Sequence, residues 1–201
     1  MALRIALTGA TGFVGKSLLP KLLEAGHPVK ALVRDPRKLA AAKQLTVITG
    51  ALDDAAAVAD LVKDCDVVVH VAGVISAPTE NEFMKGNAVG TRAVAQAAAS
   101  AGLKRFVHIS SLAATQPQLG PYGASKRAAE RVFEDFRNAF SLCILRPSAV
   151  YGPGDTATLP LLQALMSKTA LIPGTSSNRF GMIHVEDLSN IIGDAAVSQT
   201  T

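Results

Sequence analysis

Short apolar runs alternate along this chain with segments whose apolar residues recur every three to four positions. The runs predict strands at Arg4–Thr8, Pro28–Val33, Thr46–Thr49, Val67–Val71, Arg105–Ser110 and Ser141–Leu145. The helical spacing predicts helices at Phe13–Ala25, Ala55–Lys63, Phe83–Ala101 and Tyr122–Phe140. Unbroken apolar strands such as Val67-Val68-Val69 fit a sheet covered on both faces. The alternation of strand and helix predicts an α/β protein with a Rossmann-like, doubly wound parallel sheet and right-handed crossovers. Gly26 and Gly102 stand where helices end.

The pattern changes after Ser148. Tyr151-Gly152-Pro153-Gly154-Asp155 reads as a loop, followed by a helix at Leu159–Met166, a short strand near Phe180–Ile183 and a helix from Val185. About fifty residues are few for a second domain. The expected organisation is therefore a domain over residues 1–150 and a partial C-terminal lobe over residues 151–201 that is not an independent domain.

Composition narrows the class. A chain of 201 residues, 49% hydrophobic and only 4% aromatic, suits an Ala/Val/Leu-rich α/β sheet with one sizeable core. The net charge is +4, with Lys and Arg scattered among acids, so no nucleic-acid partner is expected. Cys65 and Cys143 lie far apart in apolar surroundings and read as buried thiols, with no disulfide and no metal site. That suggests a reducing, cytoplasmic setting. The apolar N-terminus reads as the first strand rather than a signal peptide, and no apolar run approaches the ~18 residues of a membrane span.

Candidate chemistry begins at Thr8-Gly9-Ala10-Thr11-Gly12-Phe13-Val14-Gly15, between the first strand and the first helix. In such a turn Gly9 allows the tight bend and Gly12 lets backbone N–H groups approach a pyrophosphate. Gly15 lets the helix close on the strand, whose neighbouring helix N-terminus faces the anion. The spacing is Gly-x-x-Gly-x-x-Gly, and an ordinary glycine-rich turn is the alternative.

A second group is Ser111 with Tyr122-Gly123-Ala124-Ser125-Lys126. Tyr122 and Lys126 are four apart and share a helix face. A nearby ammonium favours the phenolate and lowers a phenol's pKa. The tyrosine then exchanges a proton with a carbinol or carbonyl oxygen near neutral pH. Taken alone, Tyr-x-x-x-Lys also describes many solvated helix faces.

Taken together and in order, these motifs resemble the extended branch of the short-chain dehydrogenase/reductase superfamily, the NAD-dependent epimerase/dehydratase-like proteins. The glycine motif is followed by His70-Val71-Ala72-Gly73, Asn87-Ala88-Val89-Gly90-Thr91 and Ser110-Ser111. Tyr122 to Lys126, Arg146-Pro147-Ser148-Ala149-Val150-Tyr151-Gly152-Pro153 and Ile183-His184-Val185-Glu186-Asp187-Leu188 complete the series. The resemblance implies an NAD(P)-dependent enzyme with Tyr122 as acid/base. Lys126 would hold the nicotinamide ribose and tune Tyr122, and Ser111 would polarise the substrate oxygen. Asn87 would fix the strand–helix framework, serve a water relay or sit at a helix terminus. Thr11, Phe13, Val14, Val71, Ala72, Gly73 and Pro147 would line the cofactor. His70 and His184 resemble framework positions.

Cofactor choice turns on the end of the second strand, Leu32-Val33-Arg34-Asp35-Pro36-Arg37-Lys38. An acid there would bond a ribose 2′-hydroxyl and repel a 2′-phosphate. Val33 occupies that place, and Arg34 can offer a phosphate two hydrogen bonds, with Arg37 and Lys38 adding charge. NADP(H) is therefore favoured over NAD(H). Asp35 turning inward or neutralising Arg34, or a solvated basic loop, is the competing reading.

Three departures from the family follow. Ala51 replaces the usual adenine-side Asp, leaving Leu52 to pack on the ring. Only ten residues separate Ser111 from Tyr122, so the rim above the site is short. The chain stops soon after Val185-Glu186-Asp187-Leu188, where extended members continue into the substrate pocket, so the lobe is expected to be partial and open.

The leading functional expectation is an NADP(H)-dependent oxidoreductase moving a hydride between nicotinamide and a carbonyl or secondary alcohol. A nucleotide-sugar epimerase or dehydratase retaining NAD is the second reading. A non-catalytic NAD(P)-binding sensor or scaffold is the third. Val74, Ile75, Ser76, Met84 and Leu112 are mostly apolar, which tilts the small-molecule substrate toward an apolar ketone. The resemblance, with the Ala-rich stretch Ala93 to Ala101, also allows a homodimer through the helices at 83–101 and 122–140.

Overall fold

A computed structural model describes residues 2–166 and 179–198. Six strands, β1 (Ile5–Thr8), β2 (Val29–Val33), β3 (Leu45–Thr49), β4 (Val67–His70), β5 (Arg105–Ile109) and β6 (Ser141–Leu145), form one sheet in the order β3-β2-β1-β4-β5-β6. Every pairing is parallel, with Thr8 opposite both Leu32 and His70. Helices cover both faces, as unbroken apolar strands require. The sheet is the doubly wound α/β arrangement that the alternation predicts.

One face carries α1 (Phe13–Glu24) and α7 (Val185–Val197); the other carries α2 (Ala55–Val62), α4 (Gly90–Ser100) and α5 (Pro121–Val132). Leu188, Ile192 and Ala196 of α7 share a core with Ile5, Leu18 and Leu22. The helix that the sequence places in the C-terminal segment is thus packed into the main sheet. The rest of that segment holds α6 (Leu159–Leu165) and a two-stranded parallel sheet of β7 (Ala149–Tyr151) and β8 (Met182–His184). Tyr151 ends β7, so the loop begins one residue later than expected. The strand expected near Phe180 forms only from Met182 because it pairs with β7.

Two long helices differ from their periodicity. The segment expected as one helix from Phe83 begins at α3 (Glu80–Met84), where Thr79 and Glu82 form a reciprocal cap. It then passes through a π-helical turn at Lys85–Val89 before α4. The helix expected to run to Phe140 ends at Val132 and tightens into a 3₁₀ turn, Phe133–Phe136. Tightening lets Phe133, Phe136 and Phe140 all enter the core around Phe106. Cys65 and Cys143 are free thiols. No described helix is long and apolar enough to cross a membrane.

Candidate active site

Thr8 ends β1 with its side chain buried, and the chain turns at once through Gly9. Gly9 has φ +78°, and a Cβ there would lie 2.6 Å from the Ala72 nitrogen on the neighbouring strand end. A Cβ on Gly15 would collide with the Gly9 carbonyl, so α1 approaches β1 only because both positions are bare. Gly12 caps α1 without a side-chain bond, is exposed, and donates its own N–H to the Gly9 carbonyl at 3.0 Å. Thr11, Phe13 and Val14 are half-buried around this opening. An open helix N-terminus beside a bare turn fits a dinucleotide pyrophosphate.

The strand end beside this turn is held by a polar chain. Thr8 Oγ1 accepts from the Ala72 N–H at 3.2 Å and lies 2.7 Å from His70 Nδ1. His70 Nε2 lies 3.0 Å from Thr91 Oγ1 on α4. Burial, with Lys126 adding to it, pushes His70 down to about 3. A neutral imidazole completes this chain by accepting at one nitrogen and donating from the other. His70 is thus a framework residue that sets Val71-Ala72-Gly73, as the resemblance implied. Its stacked neighbour His108, ring centroid 5.5 Å away, has no hydrogen-bond partner at either nitrogen among the described residues.

Asn87 sits inside the π-helical turn, not at a helix terminus, and is buried. Its Oδ1 accepts from Val74 N–H at 2.7 Å, and its Nδ2 donates to the Val74 carbonyl and to Ser125 Oγ, both at 2.9 Å. The wider turn aims the amide at the β4 exit and at α5 together. Gly73 lies in the resulting gap: a Cβ there would stand 3.1 Å from Asn87 Oδ1 and 3.5 Å from Lys126 Nζ.

Tyr122 and Lys126 are one turn apart on α5. The Lys126 ammonium is 4% exposed and donates to the Ile109 carbonyl at 2.6 Å. Burial pulls its pKa down to about 8, opposed by the charge of Glu130. Tyr122 is half-buried beside Phe83, with the Ser111 hydroxyl as its polar neighbour. Burial pushes the phenol above its usual pKa, and Ser111 only partly reverses this. The expected lowering by Lys126 is not what this arrangement holds, because the ammonium is turned to the Ile109 carbonyl. Ser111 also accepts from Ala113 N–H, and Leu112 N–H donates to the Pro147 carbonyl at 2.8 Å. Serine, phenol and the Pro147 segment therefore meet at the C-terminal edge of β5 and β6.

Behind them lies a group that the sequence reading missed. Glu130, one turn beyond Lys126, is 6% exposed. Its carboxylate accepts from Ser110 Oγ at 2.6 Å, from Arg146 Nε and a terminal Arg146 nitrogen at 2.7 Å each, and from Arg127 at 3.1 Å. A charged residue four positions after Lys126 on a helix face with buried Gly123, Ala129 and Val132 was the available signal.

At the end of β2, Arg34 and Lys38 are exposed. Asp35 caps the turn Pro36–Lys38 and binds Arg37, not Arg34. The Arg37 hydrogen bond foremost, with Lys38 adding charge, holds Asp35 below the usual carboxylate range. Among the described residues Arg34 makes no ion pair. Leu52 is half-buried against Gly90 of α4. His184 caps α7 through Glu186 N–H and packs edge-on to Tyr151, a framework role.

Known proteins share this arrangement. The model of the NAD dependent epimerase/dehydratase family matches residues 5–196. A ceramide reductase of Caulobacter vibrioides is 45% identical over 191 residues, 91% of this chain and 57% of its own length. A 4-hydroxy-2-methyl-3-oxo-4-farnesyl-3,4-dihydroquinoline-1-oxide ketoreductase of Stigmatella aurantiaca is 33% identical, covering 83% of this chain and 56% of its own length. The chain thus spans a little over half the length of these relatives. The crystal structure of the Bordetella bronchiseptica enzyme WbmH in complex with NAD+ superposes with a TM-score of 0.83 at 25% identity, over 98% of this chain and 73% of that one. By its glycine turn, its sheet order and this match along nearly its whole length, the chain belongs to the NAD dependent epimerase/dehydratase family.

Proposed function

We propose that this chain forms the cofactor-binding and catalytic part of an NADP(H)-dependent oxidoreductase that reduces a ketone on an apolar body. The observation that carries the reading is buried Lys126 one turn from Tyr122 on α5, held by the Ile109 carbonyl at the end of the strand that leads to Ser111. The cofactor, when bound, supplies the hydride, and the protein's residues orient and polarise. Gly12 and the start of α1 would hold the pyrophosphate, with Thr11, Phe13, Val14, Val71, Ala72 and Gly73 around the dinucleotide. Arg34, which makes no ion pair among the described residues, would take a 2′-phosphate with Lys38 nearby in sequence. Lys126 would donate to the nicotinamide ribose, and Pro147 would stand beside the nicotinamide.

Ser111 donates to the substrate carbonyl oxygen and Tyr122 gives it the proton. Burial keeps the phenol protonated near neutral pH, the form that donates. Asn87 acts at one remove by fixing Val74 and Ser125. Ile75 and Leu112, both exposed at the strand ends, offer apolar contact. The names of both relatives, a ceramide reductase and a farnesyl-bearing ketoreductase, support a long apolar substrate. Val33 at the place of an acid, Arg34 after it and the short Ser111–Tyr122 connection weigh against a nucleotide-sugar epimerase.

The test is a paired fluorescence titration with NADPH and NADH, followed by NADPH oxidation with a long-chain ketone and, separately, epimer formation from UDP-glucose with NAD+. Tighter NADPH binding and turnover with the ketone alone support the reading. Binding of neither dinucleotide refutes it.

A further inference from the structure

We infer that Glu130 is a positioning residue of this site: its carboxylate locks the segments carrying Ser111 and Pro147 to the helix carrying Tyr122 and Lys126, and supplies the anion that faces Lys126. The inference rests on the proposed roles of Lys126 and Tyr122. Glu130 receives four donors on two oxygens while 6% exposed. A buried carboxylate held this way is fixed in position, and charge-assisted bonds of this kind are the strong ones. Its partners are the immediate neighbours of the proposed working residues. Ser110 precedes Ser111, and Arg146 precedes Pro147.

The backbone reinforces the same junction. Ser110 N–H donates to the Leu145 carbonyl and Leu112 N–H to the Pro147 carbonyl, both at 2.8 Å. Strand ends β5 and β6 are thereby joined on either side of Ser111, and Glu130 ties both to α5. A helix that slid or rotated would have to break the bidentate Arg146 pair.

The charge matters separately from the grip. Lys126 is buried with the Ile109 carbonyl as its acceptor. Around it stand His70 on β4 and His108 on β5, both neutral because burial lowers their pKa, and Tyr122 on its own helix, neutral because burial raises its pKa. Glu130 is the charge that opposes burial and favours the ammonium. Loss of that charge, with shape kept, should leave Lys126 titrating at lower pH.

The test compares the full chain with Glu130→Gln and Glu130→Asp. The Lys126 ε-carbon NMR resonance is followed against pH without cofactor, and NADPH affinity is measured across the same range. In Glu130→Gln the Lys126 titration moves to lower pH, and NADPH binding falls about fivefold or more further near pH 8.5 than near pH 6.5. Glu130→Asp, which keeps the charge, restores the Lys126 titration but not the full affinity. An unmoved Lys126 titration, or a loss of binding equal at all pH values, overturns the inference. If Glu130→Gln does not fold, Glu130→Asp and Ser110→Ala decide it: unchanged NADPH affinity in both overturns it. Wild-type protein that binds no dinucleotide refutes the functional reading alone, since the Lys126 resonance still judges Glu130.

Discussion

Asp35 closes on Arg37, two residues downstream, with guanidinium-to-carboxylate contacts of 2.9 and 3.1 Å. The pairing follows from the short 3₁₀ turn that Asp35 itself caps, which brings Arg37 round onto the same carboxylate. Of the basic residues at the β2 exit, Arg37 is therefore engaged by its neighbour, and Arg34 keeps its donors.

Arg34→Ala should weaken NADPH binding about tenfold or more, the loss of a charge-assisted hydrogen bond, and leave NADH binding nearly unchanged. Arg37→Ala should do much less. Equal loss for both dinucleotides in Arg34→Ala would show that Arg34 does not meet the 2′-phosphate.

Tyr122→Phe removes one oxygen from a half-buried ring and leaves the Phe83 contact. Ketone reduction should fall roughly 10²–10⁴-fold with cofactor affinity held within about threefold. Steady-state kinetics beside a fluorescence titration separate the two.

Acid should destabilise the protein through its buried imidazoles. His70 is held down to about 3 by burial first and Lys126 second, and His108 is lowered in the same direction. Unfolded histidine titrates near 6.5, so below about pH 6.5 the unfolded chain takes up protons that the native state refuses. This stability is whole above that pH and is lost as pH falls toward 3, by at most about 1.4 kcal/mol per pH unit for each group. Urea unfolding at several pH values reads the slope. His108→Leu, which removes two unpartnered buried nitrogens, should flatten it.

Ile192→Ala should cost about 2–5 kcal/mol, because Ile192 is fully buried between α7 and the sheet. Unfolding should remain one cooperative transition, since α7 shares its core with α1. Two separate transitions would instead mark the residues after 150 as a unit of their own.

Much of this architecture is legible in the residues, and the gaps have physical causes. The strands show as apolar runs because both faces of the sheet are covered. The glycine turn shows because backbone contacts at Gly9 and Gly15 exclude any side chain. The π turn does not show, since one extra residue per turn leaves Lys85-Gly86-Asn87 looking like any helix. Glu130 stayed hidden because a Lys and a Glu four apart read as a solvated pair. Only the long-range neighbours Ser110 and Arg146 reveal it as buried. The phenol of Tyr122 was read from its helix neighbour alone, whereas its pKa is governed by how deeply α5 is packed.

The π-helical turn at Lys85–Val89 makes the chain unequally tolerant of changes in length. Gln118 and Leu119 lie exposed in the short turns between Ser111 and Tyr122, so a codon gained or lost there alters the rim. A single residue deleted within Lys85–Val89 lets that turn revert to α-helix, so the flanking helices keep their phase. The Asn87 amide then no longer reaches Val74 and Ser125 together. The extra residue is a spare that the helix can lose without misplacing its ends, and only the site inside it would register the loss.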